Sequence, residues 1–522
     1  MTSADYDIFV VGGGVNGCGI ARDAAGRGLK VGLAEMNDLA SATSSASTKL
    51  FHGGLRYLEY LEIRLVREAL TEREILLQMM PHISWPMRFI LPTHKDMRFS
   101  GGTPVSKMLS FVMPWMKGRR PRWLIRTALF FYDHLGGRKI LPATSTLKLK
   151  EVAEGQGLNP KFVHAFEYSD CWVEDSRLVA LNARDAKERR ADIMVQTKVV
   201  SADRQADHWT VSLQAPDGAI KTVTAKLLVN SAGPWVEDVV RQKLGQNATE
   251  GVRLVKGSHI VVNRVFDHDK SYFFQGSDGR IIFAIPYETD FTLIGTTDVE
   301  HHDVDTAPEC SDEERDYLLK FINGYLAKPL SPDDVRWKFS GVRPLYDDGA
   351  AEAKAATRDY VLTMNTDAAP ILNIFGGKIT SYRELSEHVL KDLGQVLDTG
   401  TPWTAGSSLP GGDFAVADTD KLAQKLQDDY PFLDERWALR LFRAYGTDAW
   451  DLLGDATSAD DLGDTFGSNL TRVEVDWLYA HEFARKAADI LWRRSKLGLR
   501  VDAQDTEKLD RYLEELNTAA NA

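Results

Sequence analysis

Asp7-Ile8-Phe9-Val10-Val11 is a continuous, β-rich apolar run, the pattern of a strand buried on both faces. Gly12-Gly13-Gly14-Val15-Asn16-Gly17 follows without a break, then the small-residue helical stretch Cys18–Ala25, then a second apolar run, Leu29–Ala34, ending at Glu35. Strand, glycine turn, helix, strand and terminal acid predict a βαβ unit that holds a dinucleotide. In that unit Gly12 permits the turn, Gly14 lets backbone approach a pyrophosphate, and Gly17 lets the helix sit close on the strand. The helix N-terminus offers N–H groups to the anion. Glu35 stands where an acid hydrogen-bonds a ribose, and its charge repels a 2′-phosphate, which disfavours NADP. One such fingerprint fits NAD alone or FAD alone.

Further along, Glu62–Met80 carries apolar residues at helical spacing and is stopped by Pro81. Runs at 193–200, 209–213 and 221–229 predict strands, the last leading into Asn230-Ser231-Ala232-Gly233-Pro234-Trp235. More β-rich runs, 260–262, 281–285 and 291–294, predict a mixed sheet. Ile371–Phe375 is another buried-strand run, followed by the turn Gly376-Gly377-Lys378 and a helix with Ile379, Tyr382, Leu385, Val389 and Leu393 on one face. Residues 398–414 are rich in Gly, Pro, Thr and Ser and predict a linker; Val473–Leu497 beyond it predicts one long helix. The expected class is α/β, or α+β overall: a Rossmann-like part (about 1–80, 150–235 and 350–400) interleaved with a mixed-sheet substrate part (about 81–149 and 236–349), then helices over 401–522.

At 522 residues the chain has room for several domains, and its 43% hydrophobic and 26% charged content is that of a globular protein. A net charge of −12 argues against a nucleic-acid-binding surface. Cys18, Cys171 and Cys310 form no C-x-x-C pair, which points to a reduced, cytosol-facing protein. The polar opening reads as no secretory signal, and no apolar run is long enough to cross a membrane. No histidine or cysteine spacing suggests a metal, and His301-His302-Asp303 reads as a solvated loop.

The hydroxyl-rich run 40–49 leads into Leu50-Phe51-His52-Gly53-Gly54-Leu55-Arg56-Tyr57-Leu58, too aromatic and cationic for a spacer. With the N-terminal fingerprint, Thr43–Leu58 resembles the aerobic FAD-dependent glycerol-3-phosphate dehydrogenases of the D-amino-acid oxidase/glycine oxidase superfamily. Separated motifs carry the same resemblance: Glu167-Tyr168-Ser169-Asp170-Cys171-Trp172, Lys256-Gly257-Ser258-His259, Gly295-Thr296-Thr297-Asp298, Gly341-Val342-Arg343-Pro344 and Phe375-Gly376-Gly377-Lys378. The resemblance implies FAD as cofactor, oxidation of sn-glycerol 3-phosphate to dihydroxyacetone phosphate, and electrons passed to ubiquinone or menaquinone. It places Thr43, Ser44, Ser45, Ser47, Lys49, Val199, Gly233, Trp235, Gly376, Gly377, Lys378 and Thr380 near the cofactor. The family pattern is interrupted by an apparent insertion around 99–116.

Oxidising a secondary alcohol needs a base for the O–H proton and a hydride acceptor, and a phosphorylated substrate needs converging cations. His259 is the leading base, with His52 the rival. Arg343 is the first candidate for the phosphate, with Arg56, Tyr57, Lys378 and, in a partly structural role, Arg358 as further substrate contacts. Lys378 and the helix start after it would also stabilise negative charge on a reduced flavin.

Between Lys95 and Arg126 the charge reverses: Lys95, Arg98, Lys107, Lys117, Arg119, Arg120, Arg122 and Arg126 face a single acid, Asp96. Phe99, Met108, Leu109, Phe111, Met113, Trp115, Met116 and Trp123 are interleaved with them. Such a segment is expected to lie in an anionic headgroup layer, peripherally on the inner face of the cytoplasmic membrane, within reach of a quinone. Three alternatives remain at this level: an oxidase that reduces O2, a flavin-containing RNA-modifying protein, and a non-catalytic interaction protein. The C-terminal helices are candidates for a homodimer contact or for a cap on the catalytic part.

Overall fold

A computed structural model describes residues 4–94, 97, 103–112, 120–245, 250–276, 280–347 and 359–521. Arg358 lies outside the described residues, as do Lys95, Arg98, Phe99, Met113, Trp115, Met116, Lys117 and Arg119 of the basic aromatic segment.

The N-terminal pattern folds locally as its periodicity predicts. Strand Tyr6–Val11 runs parallel to Val31–Ala34, with helix Val15–Gly26 between them. The same strand pairs on its other side, in parallel, with Ile220–Asn230, which pairs with Ile371–Phe375. Among the described residues this sheet has eight strands, extended by the antiparallel pieces Lys198–Arg204 and Trp209–Gln214. Helix Val15–Gly26 packs between Asp175–Glu188 and Tyr382–Leu393 over the core of Ile8, Val10, Ile20, Leu33, Leu227 and Leu372.

The second sheet has ten strands among the described residues and is antiparallel except where Ser271–Gln275 meets Ser84–Thr93. Its long members, Val252–Asn263 and Val335–Tyr346, lie side by side. Strands Leu50–Phe51 and His164–Val173, expected with the nucleotide-binding part from their order in the chain, pair in this second sheet instead. Cross-strand hydrogen bonding to Ser84–Thr93 settles their place, and that partner is not local in sequence.

The C-terminal part is helical around its own core of Leu441, Phe442, Tyr445, Leu478, Ile490 and Leu491. The single helix expected over Val473–Leu497 is two pieces, Arg472–His481 and the wide turn Asp489–Arg494. Phe483 adopts φ +63°, and the Asp489 carboxylate accepts the N–H groups of Arg485 and Lys486, both at 2.9 Å. Those bonds cap a new helical start and end the first helix. Glu482, at the break, receives both Arg177 guanidinium nitrogens at 2.8 Å, a buried ion pair joining the two parts. Deleting one partner of such a pair costs about 3–5 kcal/mol. The expected linker is anchored as well: the Trp403 ring lies between the guanidiniums of Arg22 and Arg189, 4.8 and 4.1 Å from its centroid.

Candidate functional site

A cavity of about 460 Å³ opens where the two sheets meet, within the size range of small-molecule sites. Gly12, Gly14, Val15 and Asn16 form one wall at the start of the first helix. Gly12 has φ +105°, and Gly17, just behind the wall, is pressed so close that a Cβ would stand 1.9 Å from the Gly12 carbonyl oxygen. The turn therefore tolerates no side chain at either place. Glu35 lines the cavity with its carboxylate oriented by the N–H groups of Gly13 (2.7 Å) and Asn37 (2.8 Å), and burial raises its pKa.

The hydroxyl-rich loop wraps the same wall. Ser44 Oγ accepts the Val15 N–H at 3.0 Å, and Thr43 Oγ1 donates to the Val342 carbonyl at 2.6 Å, tying the loop to the strand that bears Arg343. Ser47 lines the cavity and donates to Asp175 at 2.8 Å. Lys49 does not line it: its ammonium is buried on both oxygens of Asp175, at 2.7 and 2.8 Å, and on the Ser45 carbonyl at 3.0 Å. Lys49 thus braces the loop from behind, and Ser45 and Gly17 likewise stand outside the cavity wall. Val199, Gly233, Trp235, Gly376, Gly377 and Thr380 all line it.

The second sheet brings in the chemistry. Val252–Asn263 pairs with Val335–Tyr346 so that Val255 faces Arg343 and His259 faces Phe339. The Arg343 guanidinium passes over Gly257, where a Cβ would lie 2.4 Å from Nη2. It donates to Asp298 at 2.5 Å and to Thr296 Oγ1 at 2.9 Å. Beneath that turn, Glu314 accepts from Ser258 and Thr297 (2.8 Å each) and pairs with Lys256 (2.8 Å), fixing the strand ends on which the site stands.

His259 lines the cavity, is 1% exposed and stacks on Phe339 with ring centroids 4.9 Å apart at 10°. Its Nε2 lies 3.1 Å from Thr48 Oγ1, and its Nδ1 has no hydrogen-bond partner among the described residues. Burial first, then the charges of Arg343 and Lys49, hold its pKa well below the usual imidazole value, so the ring is neutral near pH 7. His52 also lines the cavity, its Nδ1 accepting the Gly54 N–H at 3.0 Å. Lys378 places its ammonium 4.5 Å from the centroid of the Tyr57 ring, and both residues line the cavity. Arg56, on the same turn as Tyr57, does not.

The fold thus gathers His52, Tyr57, His259, Arg343 and Lys378 around one space together with the dinucleotide turn. Reading by motif passed over Asn16, Thr48, Asp175 and Asp298. Asn16 and Asp298 sat inside quoted motifs, but nothing local marked the side chains as wall or counter-charge. The residues fit FAD: a glycine turn at a helix N-terminus, an oriented acid, a hydroxyl loop and the unpartnered Asn16 Oδ1 supply its usual donors and acceptors.

Comparison with known proteins agrees. The family described as FAD dependent oxidoreductase matches residues 7–383, and the C-terminal domain of alpha-glycerophosphate oxidase matches residues 403–521. The chain is 46% identical over 517 residues to D-erythritol 1-phosphate dehydrogenase of Brucella abortus, covering 98% of this chain and 99% of that protein. It is 45% identical over 512 residues to glycerol-3-phosphate dehydrogenase of Pseudomonas aeruginosa, covering 98% and 95%. The crystal structure of glycerol-3-phosphate dehydrogenase from Bacillus halodurans complexed with FAD superposes with a TM-score of 0.72 at 26% identity, covering 99% and 95%. With its nucleotide turn, its cavity between two sheets and its helical C-terminal part, the chain belongs to the FAD-dependent oxidoreductase family.

Proposed function

We propose that this enzyme oxidises sn-glycerol 3-phosphate to dihydroxyacetone phosphate and delivers the electrons to a membrane quinone. The observation that carries the reading is the placing of a neutral, buried imidazole and two cations, His259, Arg343 and Lys378, on the wall of one cavity. Arg343 presents a planar fork, held from behind by Asp298, to a phosphate, and Lys378 adds a second positive charge. With Nε2–H donated to Thr48, His259 keeps a lone pair on Nδ1 and takes the hydroxyl proton there. FAD supplies the two-electron acceptor for the hydride on the same carbon.

The electron acceptor is argued from the surface. Helices Pro104–Val112 and Arg122–Leu135 both pack against the turn Leu55–Tyr60, which carries Tyr57 into the cavity. They expose Phe111 (89%), Met108 (58%) and Trp123 (54%), with Phe130 and Phe131 beside them and Lys107, Arg122 and Arg126 interspersed. No helix among the described residues is long and apolar enough to cross a membrane. A basic, aromatic patch on short helices suits an anionic lipid surface, and here it adjoins the site from which electrons must leave.

A second reading follows from the relative named D-erythritol 1-phosphate dehydrogenase: a phosphopolyol one carbon longer is the substrate. Anaerobic titration of the purified yellow enzyme separates the two. Bleaching with a higher kcat/KM for sn-glycerol 3-phosphate, and reoxidation faster with quinone than with air, is expected. A higher kcat/KM for D-erythritol 1-phosphate establishes the second reading, and a visible spectrum unmoved by either compound refutes both. Faster reoxidation by air would make the enzyme an oxidase.

A further inference from the structure

A single stretch of the C-terminal part, residues 489–499, reaches the cofactor side and the substrate side of the site together. Arg493 and Arg494 both pair with Asp38, at 2.5 and 2.9 Å, in the loop just beyond Glu35. Lys496 donates to Ser176 Oγ at 2.9 Å and lies 3.9 Å from Asp175, the carboxylate that holds Ser47 and Lys49. Trp492 stacks on Trp337 of the second sheet with centroids 4.5 Å apart at 20°.

That last contact is the outer end of a continuous ladder. Trp337 stacks on Phe339 at 4.8 Å and 29°, and Phe339 on His259 at 4.9 Å and 10°. Trp337 and Phe339 are two apart on strand Val335–Tyr346 and so share a face. They stand opposite Val261 and His259 in register. The imidazole has one polar partner, Thr48, which sets one edge but leaves the ring free to tilt about that bond. The tilt is set by the Phe339 face, and Phe339 is itself backed by Trp337. Trp337 is only partly buried, and its outer face is covered by Trp492. Trp492 is held in turn: it packs on the helical core of the C-terminal part, and its carbonyl accepts the Lys496 ammonium at 2.8 Å.

We propose that Trp492 is a positioning residue for His259, acting through Trp337 and Phe339, so that the C-terminal part completes the active site rather than merely covering it. The inference rests on the reading of His259 as proton acceptor. Removing the indole leaves Trp337 unsupported, lets the ladder relax outward and loosens the imidazole without touching any group that lines the cavity.

The test uses the full-length, FAD-loaded enzyme as wild type, Trp492→Ala and Trp492→Phe, with Trp337→Leu as a second break in the same ladder. Carbethoxylation of His259 by diethyl pyrocarbonate, followed by mass spectrometry with the surface residue His208 as internal reference, needs no substrate. Loss of one aromatic pair is expected to speed His259 modification about fivefold in Trp492→Ala and Trp337→Leu, with His208 unchanged and Trp492→Phe close to wild type. With substrate, kcat should fall about tenfold to a hundredfold while KM stays within about twofold, since a tilted base costs the chemical step and not binding. Wild-type modification rates and wild-type kcat in Trp492→Ala overturn the proposal, as does an equal loss in Trp492→Phe. Faster His259 modification in a series where no phosphopolyol bleaches even the wild type leaves the positioning intact and refutes the assigned reaction instead.

Discussion

Gly295 and His259 face each other across two antiparallel strands so closely that a Cβ on residue 295 would stand 2.0 Å from the imidazole Cδ2. On the opposite side the same ring lies flat on Phe339. The imidazole occupies a slot open on one side only because residue 295 lacks a side chain. Gly295→Ala is therefore expected to displace the ring and lower the rate of anaerobic flavin reduction about a hundredfold, with FAD still bound. Overpacking should also cost about 1–3 kcal/mol in urea unfolding. Stopped-flow bleaching at the wild-type rate would show that the position of His259 does not limit the chemistry.

Arg343 contributes a fork whose orientation Asp298 and Thr296 dictate. A lysine keeps the charge but neither the plane nor the second donor. Arg343→Lys should raise KM for the phosphopolyol about tenfold to a hundredfold, corresponding to one charge-assisted hydrogen bond of about 1.5–3 kcal/mol. Inorganic phosphate, as a competitive inhibitor, should weaken in step. A KM that stays put while phosphate inhibition is unchanged would move anion recognition to Lys378 and the turn carrying Tyr57.

The nucleotide-binding unit was legible because its signal is local: strand, turn and helix follow one another within Tyr6–Gly26, and each glycine has a nearby steric reason. His259 and Arg343 were legible as residue types beside glycines, but their approach depends on the register that sets Val255 against Arg343, which no short window contains. Lys49 shows the opposite failure. Its motif lies beside the cofactor turn, yet its charge is consumed by Asp175, an acid 126 positions away. The helix break near Phe483 was hidden because apolar residues keep their helical spacing across it, while the Asp489 cap that ends it looks like any surface acid.

Asp175 is the anchor of the hydroxyl loop, accepting from Ser47 and Lys49 while almost wholly buried. Asp175→Asn keeps the shape and removes the charge, leaving the Lys49 ammonium buried without its counter-ion. Loss of one member of such a pair costs about 3–5 kcal/mol. Because the loop also holds Ser44 against the helix start, FAD affinity should fall with it, and excess FAD should restore part of the lost thermal midpoint. Flavin release in ultrafiltration at increasing dilution measures the effect. Undiminished retention would separate the Asp175 pair from the cofactor site.

His82 carries a pH dependence of its own. The ring is 0% exposed between the end of helix Ile63–Met79 and the Gly411 and Gly446 turns, and neither nitrogen has a hydrogen-bond partner among the described residues. Burial, then the charges of Arg177, Arg443 and Arg184, hold its pKa well below 6.5 in the folded protein. The unfolded chain thus binds a proton below about pH 6.5 that the native state refuses, and stability falls by about 1.4 kcal/mol per pH unit from this group as the solution is acidified. Glu288 and Glu384, both pushed up to about 7 mainly by burial, pull the other way and favour the native state on acidification. The net slope of the wild type therefore conceals the histidine. Replacing His82 by Leu leaves those carboxyls in place, so the difference between the two proteins isolates it. Urea unfolding at pH 8 and at pH 5.5 should show the variant gaining on the wild type by about 1 kcal/mol or more as the pH drops. Curves that stay parallel would mean that unfolding takes up no proton at His82, and that water or a neighbouring group satisfies the ring in the native state.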